Sequence, residues 1–156
     1  MAVLLKDLID GMDMQMDEYR QFLNKETGVV VSVSNEELSI AEGSEEDDAF
    51  SQYPDWQREA IQQALDIDLN WENYIELPNK WEVDEYHIME QFCDSLDNEK
   101  IATTLFSAIS GKGAFRRFKD TVQRYGIENR WYSYREEALK KIALSWCEQN
   151  NISYRL

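Results

Sequence analysis

Long hydrophobic runs are missing from this chain. No window approaches ~18 consecutive apolar residues, which excludes a membrane-spanning helix. Histidine is almost missing too: His87 is the only one. A Ser-His-Asp triad would have to be built on it, and no Gly-x-Ser-x-Gly elbow accompanies it. Cysteine is limited to Cys93 and Cys147, far apart and in no C-x-x-C pair. They read as buried reduced thiols and place the chain in the cytoplasm. Positive charge is scarce, with 16 Lys and Arg against 31 Asp and Glu, a net charge of −15 and a pI of about 4.4. A field of that sign repels phosphate, so whole-surface attraction to nucleic acid or anionic lipid is disfavoured. The opening Met1–Asp7 lacks the layout of a signal peptide, because Asp7 and Asp10 interrupt its apolar residues.

Aromatic residues are plentiful, with five Trp, six Phe and eight Tyr in a chain that is 43% hydrophobic. That composition belongs to a folded globule, and 156 residues suffice for a single domain over 1–156. The pattern predicts a mainly α (α+β) fold: a compact helical domain with a small β-hairpin near its N-terminus. Leu5, Leu8, Ile9, Met12 and Met16 share one side of a helix over 2–16, although Gly11 weakens it. Tyr19–Leu23 and Val29–Val33 flank the turn Asn24–Gly28, a hairpin signature. Residues 42–52, with Glu42, Glu45, Glu46, Asp47 and Asp48, read as a solvated loop. Pro54 opens a helix over 54–68, and Tyr74–Pro78 reads as extended. Helices follow near 83–95, 98–109, 114–125 and 128–150, the last with Trp131, Ala138, Ile142 and Trp146 as its buried stripe.

The charge is unevenly spread. Residues 1–111 carry 6 Lys and Arg against 26 Asp and Glu, whereas residues 112–141 carry 9 against 4. The reversal begins at Ser110-Gly111-Lys112-Gly113 and continues through Arg116, Arg117, Lys119 and Arg124. Gly111, Lys112, Gly113, Arg116, Arg117, Lys119 and Arg124 are therefore the candidate binding residues. Free N–H groups at the start of the helix after Gly113, with Lys112 beside them, could hold an anion. The Gly-Lys-Gly turn is not a P-loop, because no Ser or Thr follows the lysine, and Arg116 stands where a dinucleotide fingerprint needs its third glycine. The bland alternative is a tight turn between helices whose arginines pair with the protein's own acids. At ~100° per residue Phe115, Phe118, Val122 and Tyr125 fall in one stripe, so both phenylalanines read as core, packed with Trp131 and Trp146 where the last two helices cross. Arg116 reaches Asp120 at i+4. Asp84, His87, Glu90 and Asp94 share one helix face and could present metal ligands, but a single helix is no site, and the face reads as solvated acid.

Several of these segments together resemble an uncharacterised bacterial family, number 158 of the UPF series. The resemblance rests on Leu23-Asn24-Lys25-Glu26-Thr27-Gly28-Val29-Val30, on Ile109 through Asp120 with its Phe115-Arg116-Arg117-Phe118-Lys119 run, and on Trp131-Tyr132-x-Tyr134, Ala143-x-x-Trp146 and Asn151-Ile152. It covers residues 4 to 152. Position 24 departs, with Asn24 where the family has Asp. The resemblance implies no activity, cofactor or catalytic residue.

The sequence therefore supports a non-enzymatic protein-interaction module with separated acidic and basic surfaces, docking a protein partner or a second copy. The alternative is phosphate-ligand or single-stranded nucleic-acid binding at the Gly-Lys-Gly turn and the basic helix after it. No catalytic residue, metal site or cofactor is assigned, and no membrane partner.

Overall fold

The computed structural model describes residues 2–14, 17–43 and 53–156. The chain runs β1 (Val3–Leu4), α1 (Leu5–Asp13), β2 (Tyr19–Asn24), β3 (Val30–Ser34), α2 (Asn35–Glu42), α3 (Asp55–Leu69), a 3-10 turn (Trp71–Asn73), β4 (Tyr74–Glu76), α4 (Lys80–Val83), α5 (Glu85–Ser95), α6 (Glu99–Ala108), α7 (Ala114–Arg124), α8 (Glu128–Gln149) and β5 (Tyr154–Arg155). The fold is mainly α with a small β part, as the sequence pattern predicts. From residue 44 onward, the loop expected over 42–52 lies outside the described residues; Glu42 itself closes α2.

Two compact units share these elements: Met1–Asn79 with Ala143–Leu156, and Lys80–Ile142. In the first, the predicted hairpin forms with Tyr19 opposite Ser34 and Leu23 opposite Val30. The Asn24 side chain accepts from the Glu26 and Thr27 N–H groups, which shapes the turn without a carboxylate, and Gly28 supplies φ 75°. The extended stretch after the 3-10 turn joins the hairpin, giving the strand order β3-β2-β4. Its Tyr74 hydroxyl donates to Asp66 and accepts from Gln63 and Asn24 at 3.2 and 3.3 Å. Burial, then the bond to Asp66, pushes this phenol above its ordinary value.

Phe22, Val33, Leu38, Ala41, Ala64, Ile67 and Tyr74 form the core of this unit. Gly11, which weakened the helix pattern, is a packing requirement: a Cβ there would sit 2.7 Å from Leu77 Cδ2 and 3.1 Å from Val30 Cγ1. The helix expected over 2–16 begins only at Leu5, because Val3 and Leu4 are taken into a parallel pair with Tyr154 and Arg155. Periodicity also misses α2. Its signal is Ser34, whose side chain accepts from the Glu37 N–H as an N-cap.

The second unit is all helix. Phe92, Phe118 and Trp131 form an edge-to-face triangle with centroids 6.1, 5.3 and 4.7 Å apart, and Tyr134 lies 5.4 Å from Phe92. Such pairs add ~0.5–1.5 kcal/mol beyond the area they bury. Arg135 clamps Glu85 through Nε at 2.7 Å and Nη2 at 3.4 Å, tying α5 to α8.

Two core expectations need correction. Phe118 and Trp131 do pack together, but Phe115 is 52% exposed, because Ala114 takes the buried position in the first turn of α7. Trp146 is buried but belongs to the first unit. On α8 the deeply buried row is Trp131, Leu139, Ala143 and Cys147, with Ala138 and Ile142 only half-buried. Steps of four wind by about 40° each, so the row rotates along a helix that serves one unit with its first part and the other with its last.

Candidate binding surface

The turn between α6 and α7 is built around one side chain. Arg117 turns back and donates from Nε to Ala108 O at 2.7 Å, from Nη2 to Ser110 O at 2.6 Å, and from Nη1 to Lys112 O. Tyr86 adds a bond to Ile109 O at 2.9 Å. These carbonyls end α6, where the backbone has no partners of its own and the helix dipole favours a cation. Gly111 and Gly113 both adopt positive φ, 79° and 77°. At Gly113 the demand is double, because a Cβ there would come 3.0 Å from Arg117 Nη1. Gly-Lys-Gly and Arg117 are thus one structural device. The bland reading had the right element and the wrong acceptor: Arg117 is held by main-chain carbonyls, with no carboxylate involved.

The other cations of the patch behave differently. Lys112, Arg116, Lys119 and Arg124 are exposed, and among the described residues no ion pair engages any of them. The i+4 pair expected between Arg116 and Asp120 does not form. Arg124 lies 5.3 Å from the ring centroid of Tyr125. That phenol is held below its ordinary value, first by its hydrogen bond with Thr104 and then by the charge of Arg124.

Helical geometry places Arg116 and Gln123 at the centre of the outward face of α7. Lys119 and Phe115 lie towards one shoulder, Arg124 towards the other. The buried face is Ala114, Phe118, Thr121 and Val122. The exposed aromatic among cations is the feature the sequence reading missed. Its signal was present, since Phe115 stands only two residues into the helix, where a side chain overhangs the end of the packed layer.

The acidic side chains near His87 are partly spent on structure. Asp84, at φ 48°, caps α5 by accepting from the His87 N–H. Among the described residues no three His, Cys, Asp or Glu side chains are grouped to hold a metal ion. Both cysteines are buried and free. Burial pushes the Cys93 thiol up to about 11, and moves Cys147 in the same direction. Among the described residues no helix is long and apolar enough to cross a membrane.

The model of the family described as Uncharacterised protein family (UPF0158) matches residues 1–156. A curated UPF0158 protein of Pseudomonas aeruginosa is 30% identical over 66 residues, which are 42% of this chain and 43% of that protein's length. No solved structure matches.

Proposed function

Because the chain belongs to UPF0158, a family whose name carries no activity, we propose from its surfaces alone that it is a non-enzymatic protein-interaction module whose basic α7 face docks an acidic protein partner. One observation carries this reading: among the described residues no ion pair engages Lys112, Arg116, Lys119 or Arg124, and the same helix exposes Phe115 on the shoulder it shares with Lys119. An exposed aromatic side chain beside cations is the composition of an interface anchor. Its ring supplies apolar area and the cations select the partner's sign. The buried thiols support a reducing, cytoplasmic setting.

The same exposed ring favours a second reading. A base of single-stranded nucleic acid stacks on aromatic rings lined by cations, at ~1–3 kcal/mol per base. The net charge of −15 works against it at long range.

The test is affinity purification from cells, with and without nuclease, using the wild type, Phe115→Ala and Arg116→Glu. A nuclease-resistant partner that both substitutions release supports the protein reading. Submicromolar binding of RNA or DNA at ~0.15 M salt, lost in the same variants, would overturn it, and the salt slope would then count the phosphates neutralised. Arg117 is unsuitable for this test, since its donors are already held by the fold.

A further inference from the structure

We propose that the first unit carries a second, separate site: a cleft that receives the guanidinium group of an arginine from a protein partner. The cleft is open, about 390 Å³, and lies where the β2–β3 hairpin meets the starts of α2 and α3. Asp17, Glu18, Glu36 and Glu37 line it, with the rings of Tyr19 and Trp56. Among the described residues no Lys or Arg lines it.

An acidic cluster alone would mean little in so acidic a chain. Glu37 is the observation that points to a ligand. It is only 8% exposed, and its Oε2 is fully buried with no hydrogen-bond partner among the described residues. Ser34-x-x-Glu37 has the spacing of a capping box, in which the glutamate would return a bond to the Ser34 N–H. Only the forward half exists, from the Glu37 N–H to Ser34 Oγ at 3.1 Å, and the carboxylate is left in the cleft wall. A buried, unmatched carboxylate costs stability, and the cost is offset when a cation arrives to meet it.

The chemistry of the lining selects the cation. Four acidic residues line one cleft, which suits a cation with several donors. Trp56 is 71% exposed, an uncommon state for tryptophan that leaves a face for a planar cation to stack on. A guanidinium is planar, always charged, and distributes five donors over several carboxylates; an ammonium is a compact point charge. The site shares no residue with α7, so it stands whether or not the basic face proves to be an interface.

The experiment titrates the isotope-labelled full chain with Nα-acetyl-arginine amide, its lysine analogue and its neutral citrulline analogue, following the Trp56 indole and Glu37 amide signals. The arginine derivative is expected to shift both, the lysine derivative to bind several-fold more weakly, and citrulline to leave them unmoved. Glu37→Gln should abolish the arginine response while raising the melting temperature, a pairing that loss of a structural residue would not produce. Trp56→Ala, at an exposed position, should fold normally and lose the response too, while Phe115→Ala should keep it. No shift at Trp56, equal response to lysine, or an undiminished response in both variants would overturn the proposal. Self-association of the wild type that Glu37→Gln abolishes would overturn the foreign partner and place a second copy's arginine in the cleft.

Discussion

The unit formed by Met1–Asn79 with Ala143–Leu156 carries five Lys and Arg against twenty Asp and Glu; Lys80–Ile142 carries eleven against eleven. The whole net charge of −15 therefore resides in the first unit, and the second is neutral. Their interiors differ in the same way. The acidic unit is closed by a mostly aliphatic core, with Phe22 and Tyr74, packed with a three-stranded sheet, the neutral one by an aromatic triangle within a helical layer. A chain-wide charge is thus an average of two unlike surfaces. At ~0.15 M salt the Debye length is ~8 Å, so a docking partner senses the local surface far more than the sum. The proposed sites follow the division: among the described residues the neutral unit offers cations without ion pairs, the acidic unit a carboxylate oxygen without a hydrogen bond.

The sharpest way to break this comparison is to empty the aromatic triangle. Phe118→Ala is expected to cost ~3–5 kcal/mol in urea titration. A loss below ~1 kcal/mol would show that the neutral unit does not rest on that triangle. Next is the contrast between adjacent arginines. Arg117→Ala removes three charge-assisted bonds to carbonyls that water can partly reclaim, so about 1.5–3 kcal/mol is expected, against under ~0.5 kcal/mol for Arg116→Ala. Equal costs would erase the distinction between structural and available cations. Phe115→Ala should cost below ~1 kcal/mol and leave the melting transition cooperative.

A fourth test concerns pH. The folded Cys93 thiol sits at about 11 and the free thiol near 9.0, so the unfolded chain releases its proton first as pH rises. Its contribution is therefore fully present below pH ~9 and is lost towards pH ~11. Thiol reagents should label neither cysteine at neutral pH until denaturant is added. A small effect is also expected in the acidic unit. Arg20 and Glu76 form a half-exposed bidentate pair across β2 and β4, with Nη2 to Oε2 at 2.7 Å. Its bond to Glu76 holds Arg20 above the usual guanidinium value. Glu76→Ala is expected to cost about 0.5–1 kcal/mol, less at high salt; a larger loss would mean that single ion pairs, and not the apolar core, decide this unit.

Much of the helical framework was legible because apolar spacing records it, as at Ile88, Phe92 and Leu105. Three things were not. Strand partners are non-local: nothing around Tyr74 announces that it will pair with Asn24, or around Val3 that it will meet Tyr154. The exposure of Phe115 could not be read from its stripe alone, since periodicity gives a direction but not whether anything lies there. Nor could sequence separate Arg116 from Arg117, because the difference lies in three carbonyls that exist only once α6 has ended. Of the candidate patch, the turn and the basic helix were readable; the division between keystone and free cation was not.

The order in which the chain emerges gives the winding of α8 a further meaning. Lys80–Ile142 is continuous, and its contacts close within a stretch made in one piece, the kind of topology that forms early during synthesis. The other unit must wait. Its β1 pairs with β5 across nearly the whole chain, and residues 143–149 reach it only as the tail of a helix that begins in its neighbour. The neutral unit can therefore close on contacts made within one continuous stretch, whereas the acidic one is sealed only when residues 3–4 meet residues 154–155. Until that pairing is made, the dense like charge of the unit opposes the adhesion of one chain to another by mutual repulsion.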